Sequence, residues 1–489
     1  MEAVVTKEQH IVMLPFMAQG HLIPFLALAN QIHHRFGFTI TIATTPLNVR
    51  YLTTAIANNS AQNSNIHLHE LQFNSCDHDL PPNTENTEAL PLTQIIKLFH
   101  SSTSLQLPFR ALIHDISVRD GKPPLCIISD IFTGWANEVA KSCGTINVSF
   151  TTGGAYGTAA YVSLWQNLPH RSSTNTDVFN LPGFPDWCTF HITQLHHFLR
   201  AADGTDPWSK FFQPQIAHSL NSFGMLCNTA EEIEPLGLDV LRKYTKLKLP
   251  VWCIGPLLPK TMLNRGKSRI IGQHTGRQPG VSTEKCLQWL DSKSKSSVLY
   301  ISFGSQNTIS PSQMMALAMG LEDSGKSFVW VIRPPIGFNL KGEFKPEWLP
   351  HEFENRMAEN NRGLVVHGWA PQLEILCHES TGAFMSHCGW NSIMESLSQG
   401  VPMIGWPLAG SRATMRRCWW RKWGVESGIS REEVRNVIER VMGDEKMKRK
   451  AGEIGELIRG ALSEEGGDIK GSSCKAMDDF VSALLFSKK

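Results

Sequence analysis

Residues 369–412 read WAPQLEILCHESTGAFMSHCGWNSIMESLSQGVPMIGWPLAGSR. Within them, Gly382-Ala383-Phe384-Met385-Ser386 has the small and apolar composition of a short buried strand. Gly389 then lets the chain turn into a helix that starts near Trp390, because glycine turns without a Cβ penalty. Strand, turn and helix in this order are the repeating step of a doubly wound α/β sheet. The step leaves the helix N-terminus, with its unbonded N–H groups and positive dipole, beyond the strand's carboxyl end, where it is suited to phosphate.

The side chains around this step suit a nucleoside diphosphate. His387 can donate to a phosphate oxygen, and Asn391 and Ser392 bring donors into the first helical turn. Glu395 lies one turn on from Asn391, on the same face, and its two oxygens match the paired hydroxyls of a ribose. The indole of Trp369 offers a face for a pyrimidine, and the Ala370 backbone can read that ring's edge.

Moving outward, His10–Pro15 is a compact apolar strand and Phe16–Gly20 a loop. His21–Arg35 has Leu22, Phe25, Leu26, Ala29 and Ile32 at helical spacing, and Phe38–Thr44 is a β-branched strand. This βαβ unit lacks GxGxxG, which argues against a nicotinamide or flavin in its first turn. A second unit has the strand Leu125–Asp130, ending in an acid, and the helix Trp135–Lys141. Strands also fit Ile146–Phe150 and Gly224–Asn228, and in the second half Val298–Phe303, Phe328–Ile332, Gly363–His367 and Pro402–Trp406.

Between the halves, Pro259–Gly280 holds five basic residues, no acidic ones and two prolines, which is the composition of a solvated linker. No aromatic residues are interleaved with its charges, so nucleic acid is not an expected ligand. The expected architecture is α/β, with two doubly wound domains facing each other across a cleft. Residues 1–254 form the first, 255–280 the linker and 281–470 the second. Residues 471–489 form a last helix that crosses back to the first domain, with Met477, Phe480, Val481 and Leu484 as its apolar side.

Composition agrees. A chain of 489 residues is well beyond the size at which one core splits into domains. The 46 basic residues nearly balance 44 acidic ones, so no polyanion-binding surface is expected. No apolar run approaches the roughly 18–20 residues that a transmembrane helix needs. The start, MEAVVTKEQHIVMLPF, does not resemble a basic-then-apolar signal peptide. Eleven cysteines, an odd number without a CxxC pair, argue against a disulfide framework or a zinc site. A cytoplasmic protein is expected, and the sequons at Asn58 and Asn147 are then coincidental. The adjacent pairs His33-His34 and His196-His197 lack metal-ligand spacing, and no metal is expected. The aromatic content of Phe190–Phe212 suits an acceptor pocket or the core.

The segment quoted first resembles the signature box of plant secondary-product glycosyltransferases, which transfer a sugar from a UDP-sugar to a small acceptor. Trp369-Ala370-Pro371-Gln372, His387-Cys388-Gly389-Trp390-Asn391-Ser392 and Glu395 match that box over some forty positions. The resemblance implies the GT-B fold, two facing Rossmann-like domains, with Gln372 and Trp390 joining the donor set. It extends to Gln19-Gly20-His21-Leu22-Ile23-Pro24, where the family carries its catalytic base, and to Ser129-Asp130-Ile131-Phe132, where it carries the acidic partner. Phe303-Gly304-Ser305 matches a turn near the donor phosphates, and Thr151 or Thr152 stands where a hydroxyl meets sugar or acceptor. UDP-sugar is a co-substrate in this family, so no cofactor is implied, and a monomer is expected.

The chemistry explains His21 and Asp130. An acceptor hydroxyl is a weak nucleophile, and histidine as a residue type has the titration range to take its proton. A carboxylate on the other ring nitrogen orients the imidazole and stabilises its charged form. His387, Ser305 and the helix end would meet the charge that grows on departing UDP, and in-line attack inverts the anomeric centre.

One stretch departs from the resemblance. The family follows the Trp-Pro of Ile404-Gly405-Trp406-Pro407 with an acid-Gln pair that grips the sugar, whereas Ser411-Arg412 stand here. One expectation is an impaired homologue that still binds UDP or a small molecule. The other is that Ser411–Gly424 are read in the wrong frame. Met and Trp have single codons, and joining the last base of each codon to the first two of the next turns Cys418-Trp419-Trp420 into Leu-Val. With permitted codons elsewhere the stretch becomes Gln-Gly-Tyr-Asn-Ala-Lys-Met-Leu-Val-Glu-Glu-Met-Gly, preceded by Glu. That string restores the acid-Gln pair and an amphipathic helix.

Overall fold

The computed structural model describes residues 9–57, 65–172, 177–245, 249–263, 280–305, 308–339, 342–406, 408, 429–464 and 470–487. The chain divides into two units, a first formed chiefly by Met1–Leu257 and Gly460–Lys489 and a second chiefly by Arg277–Arg459. Both are of the α/β, Rossmann-like class.

The first unit is built on seven parallel strands: β1 (His10–Leu14), β2 (Thr39–Thr44), β3 (Ile66–Glu70), β4 (Cys126–Asp130), β5 (Asn147–Thr151), β8 (Gly224–Cys227) and β9 (Val251–Cys253). Their order is β3-β2-β1-β4-β5-β8-β9. The chain winds outward from β1 to one edge and then from β4 to the other, so the winding reverses between β1 and β4. The carboxyl ends of strands at such a reversal are where open α/β sheets bind ligands. A separate hairpin pairs β6 (Val178–Asn180) with β7 (Thr189–His191).

The second unit repeats the design with β10 (Val298–Ser302), β11 (Ser327–Ile332), β12 (Gly363–His367), β13 (Thr381–Ser386) and β14 (Met403–Gly405), in the order β12-β11-β10-β13-β14. Its reversal lies between β10 and β13, whose registers pair Ile301 with Met385 and Ser302 with Ser386. Helices start where the local chemistry stops them from starting earlier. Ser310 and Gln313 form a reciprocal cap with Pro311 in the first turn of Pro311–Ser324, and left-handed Gly325 ends that helix. Ser430 and Glu433 do the same for Arg431–Gly443.

The apolar faces of the first unit bury Ile11, Ile40, Ile128 and Phe150 under the helix Gln19–Phe36, and Val12, Ile127 and Leu112 on the other side. The last helix, Ser472–Phe486, enters the first of these clusters through Met477, Phe480, Val481 and Leu484. Phe480 packs edge-on against Trp252 of β9 at 5.3 Å, and Asp478 bonds Arg35 at 2.6 Å. At roughly 1.5–3 kcal/mol for each large apolar side chain buried, these four residues make the helix part of the first unit's core.

Each strand read from the sequence is present within one residue at either end. Two readings change. The helix after β1 begins at Gln19, so the expected loop Phe16–Gly20 is shorter and His21 sits in the first helical turn. The left-handed residue before the helix Trp390–Ser398 is Cys388, with φ 67°, while Gly389 has an ordinary φ of −64°. Glycine is required at 389 for room instead, since a Cβ there would stand 2.5 Å from the His387 ring. Four strands escaped the sequence reading. β3 and β9 are the sheet's two edges, β3 being mostly polar and exposed and β9 only three residues long; β6 and β7 are equally short. The linker's residues 264–279 and the Ser411–Gly424 stretch lie outside the described residues.

Candidate active site

In the first unit, β1 and β4 deliver the candidate catalytic pair. His21 stands in the first turn of the helix that follows β1, and Asp130 is the last residue of β4. The Nδ1 atom of His21 lies 2.6 Å from Asp130 Oδ2. Asp130 is wholly buried while His21 keeps 20% of its side chain exposed. The other carboxylate oxygen accepts the Phe132 N–H at 3.0 Å, which caps the short turn after β4 and prevents Asp130 from rotating away. A carboxylate on Nδ1 selects the tautomer with hydrogen there and leaves the Nε2 lone pair available.

Thr152 and Thr151 behave differently. Thr152 Oγ1 approaches His21 Nδ1 at 3.5 Å, so it joins the pair. Thr151 turns to Thr158 Oγ1 at 2.8 Å, inside the start of the helix Ala155–Asn167. Phe16 meets the His21 ring edge-on at 5.7 Å and Phe132 tilts over it at 5.3 Å. Behind them Phe99, Tyr161 and Phe212 continue the aromatic layer, with Trp208 stacked on Phe212 at 6.0 Å. The stretch Phe190–Phe212 is thereby split. Phe190 is buried against Phe179 and Phe184, whereas Phe212 belongs to the layer behind His21.

In the second unit, Gln372 is the hub. Its Nε2 donates to Glu395 Oε2 at 2.6 Å and to Ser392 Oγ at 3.2 Å, and its Oε1 accepts from the Tyr300 hydroxyl at 3.1 Å. Gln372 therefore orients Glu395, a role not read from the sequence. Burial pushes the Glu395 carboxyl above the ordinary carboxylate range, and the bond from Gln372 opposes that rise. Trp369 and Ala370 lead into this group, with the Trp369 carbonyl accepting the Gly280 N–H at 2.8 Å and the Ala370 carbonyl accepting that of Gln372 at 2.8 Å. Trp390 and Asn391 open the helix that carries Ser392 and Glu395, and Gly389 caps it without a side chain.

His387 sits between two glycines. A Cβ on Gly304 would stand 2.6 Å from its ring, and one on Gly389 2.5 Å. Gly304 has φ +74°, which the tight turn after β10 demands. Burial, and secondarily the charge of Arg333, lower the His387 pKa to about 4, so the ring is neutral at physiological pH and donates through a single N–H. Arg333 was missed by the sequence reading. The available signal was a cation one residue beyond β11, at the carboxyl end of a buried parallel strand.

The other candidates do not gather into sites. His33 Nδ1 bonds the Phe38 carbonyl, and His196 caps the short helix His197–Ala201. Among the described residues no group of three or more His, Cys, Asp or Glu could hold a metal ion, and no helix is long and apolar enough to cross a membrane. Asn147 lies within β5, 2% exposed, and Asn58 is outside the described residues. A cavity of about 390 Å³ opens between helix Glu445–Ala461 and Leu397, Pro402 and Met403, and none of the candidate donor residues lines it.

The chain is similar to known proteins over nearly its whole length. The N-terminal glycosyltransferase domain family matches residues 7–177, and the UDP-glucoronosyl and UDP-glucosyl transferase family matches 240–459. Crocetin glucosyltransferase 3 of Crocus sativus is 44% identical, across 94% of this chain and 96% of its own. This chain belongs to the plant UDP-glycosyltransferases of secondary metabolism. UDP-glycosyltransferase 92A1 of Arabidopsis thaliana is 39% identical over 98% of this chain and 97% of its own. Among solved structures, a UDP-glycosyltransferase of Glycyrrhiza uralensis complexed with glycyrrhetinic acid 3-O-monoglucuronide superposes with a TM-score of 0.80 at 27% identity, covering 99% of this chain and 96% of that one. The two Rossmann-like units are therefore those of a GT-B glycosyltransferase, and the chain is a UDP-sugar-dependent enzyme.

Proposed function

We propose that this glycosyltransferase moves glucose from UDP-glucose to a hydroxyl of a small apolar or phenolic metabolite, with inversion at the anomeric carbon, in the cytosol. The observation that carries the reading is the 2.6 Å contact of His21 Nδ1 with buried Asp130. His21 Nε2 takes the acceptor proton while the acceptor oxygen bonds to the anomeric carbon. The bond from that carbon to the diphosphate oxygen breaks, and UDP departs with the electron pair. Asp130 stabilises the imidazolium that forms. Glu395, oriented by Gln372, holds the ribose; Trp369 and Ala370 meet the uracil; His387, Trp390, Asn391, Ser392 and Ser305 hold the diphosphate. Thr152 meets the sugar or acceptor beside His21. The aromatic layer of Phe16, Phe132 and Tyr161 favours a flat or largely apolar acceptor. Two similar proteins support that class: one is a crocetin glucosyltransferase, and the other is complexed with glycyrrhetinic acid 3-O-monoglucuronide.

The test is an incubation with UDP-glucose, UDP-galactose and UDP-glucuronic acid against a panel of phenolic and triterpenoid acceptors, with products read by mass and by the anomeric proton coupling. A β-linked glucoside from the α-linked donor is expected. An α-linked product, or turnover with none of the donors, overturns the reading.

A further inference from the structure

Arg333 stands one residue past β11, and its neighbour strand β10 leads into the Gly304–Ser305 turn. Its guanidinium bonds two successive carbonyls of that turn: Nη1 donates to Ser305 O at 2.7 Å, and Nη2 donates to Gly304 O. A planar fork on adjacent carbonyls fixes the turn's orientation in a way that a single donor cannot. The turn in turn packs on His387, because Gly304 has no Cβ and any atom there would strike the imidazole. Arg333, the turn and His387 are thus one stack at the carboxyl ends of β10, β11 and β13.

We propose that Arg333 is the positioning residue of the diphosphate subsite, bracing the Gly304–Ser305 turn through its carbonyls and setting a fixed cation beside His387. The inference rests on the reading of this end of the sheet as the UDP-sugar site. Two consequences follow for His387. The brace keeps its ring against Gly304 and Gly389 in one direction, so its N–H is aimed before the ligand arrives. The cation discourages the free ring from taking a proton, and an arriving dianionic diphosphate offsets that repulsion. Among the described residues, Arg333 is the charged group that acts on the ring; the glycines packed on it from the β10 turn and from the start of helix Trp390–Ser398 carry no charge.

Three variants separate bracing from charge: Arg333→Lys keeps the cation and loses the fork, Arg333→Gln keeps a donor without the charge, and Arg333→Met loses both. Two readouts are made on the full chain: the titration of His387 by heteronuclear NMR without ligand, and the affinity for UDP-glucose by calorimetry at several pH values. UDP-glucose is the probe because its diphosphate does not itself titrate between pH 5 and 8. The expected result is that the His387 midpoint, about 4 in the parent, rises in Arg333→Met and Arg333→Gln and stays low in Arg333→Lys. UDP-glucose affinity falls roughly ten- to a hundredfold in Arg333→Met, as for loss of charge-assisted hydrogen bonds, and is partly recovered in Arg333→Lys. A brace that served stability alone would lower the melting temperature without moving the His387 midpoint. An unmoved midpoint and unchanged affinity in a folded Arg333→Met overturn the assignment of Arg333. Failure of the parent to bind UDP-glucose would instead overturn the donor-site reading, and the ligand-free titration would still decide whether Arg333 governs His387.

Discussion

His21 and Asp130 are 109 positions apart, and two strand ends bring them to 2.6 Å. Replacing His21 by Ala is expected to lower turnover about 10²–10⁴-fold, the usual contribution of a general base, and to leave UDP affinity as it was. The second half follows because His21 belongs to the first unit and the residues proposed to hold UDP belong to the second. Turnover and calorimetry on the same preparation check both halves. Asp130→Asn retains the cap on Phe132 but not the charge on Nδ1, so turnover should fall with the fold intact. Glu395→Ala is expected to weaken UDP and UDP-glucose alike by roughly 1.5–3 kcal/mol, the range for a hydrogen bond to a charged group. Unaltered UDP affinity in that variant would remove Glu395 from the ribose.

Single elements set how tightly the residues proposed to bind the donor are held. Gly389 and Gly304 press on the two sides of His387, so an added methyl at either position must displace the ring. Gly389→Ala should cost UDP-glucose binding while melting close to the parent; Gly304→Ala should also destabilise, because φ +74° is strained for any residue with a Cβ. Calorimetry and a thermal melt distinguish them. The element after β14 raises a different question. β14 spans only Met403–Gly405, and the residues that follow it include the Ser411–Gly424 stretch, which lies outside the described residues. The shifted frame there reads Glu-Gln-Gly-Tyr-Asn-Ala-Lys-Met-Leu-Val-Glu-Glu-Met-Gly, locally consistent with an amphipathic helix, whereas the printed frame sets three Trp among five basic residues. The transcript across this region is expected to carry the shifted frame, and a frame-restored chain should turn over faster than the chain as printed. A transcript that encodes Ser411–Gly424 unchanged, in a chain that uses UDP-glucose well, removes that expectation.

At the scale of the molecule, Ser472–Phe486 belongs to the first unit although the whole second unit precedes it in the chain. Phe480 is fully buried, and Phe480→Ala should destabilise the first unit by about 3–5 kcal/mol, seen as an earlier thermal transition and faster amide exchange in β9 and the helix Gln19–Phe36. Exchange unchanged in those elements would show that the helix does not support that core. Much of this organisation was legible in the chain. Apolar runs such as Leu125–Ile128 and Val298–Ile301 are pure enough to declare buried parallel strands, and the order of strand and helix then prescribes a doubly wound sheet. The edges β3 and β9 carry no such signature, because β3 is mostly polar and exposed and β9, though apolar, is only three residues long, and an edge strand owes its place to its one neighbour's hydrogen bonds. The residue types of the candidate site could likewise be named from local motifs, since each motif is a contiguous stretch whose chemistry does not depend on the rest of the fold. What no local reading could supply was which side chains constrain one another: that Thr152 rather than Thr151 reaches His21, that Gln372 orients Glu395, that glycine at 389 serves the His387 ring, and that Arg333 braces the turn beneath it. Apart from the glycine, which is two residues from the ring it serves, those relations join segments between 23 and 131 residues apart, and only the packing of the sheet decides the distances between them.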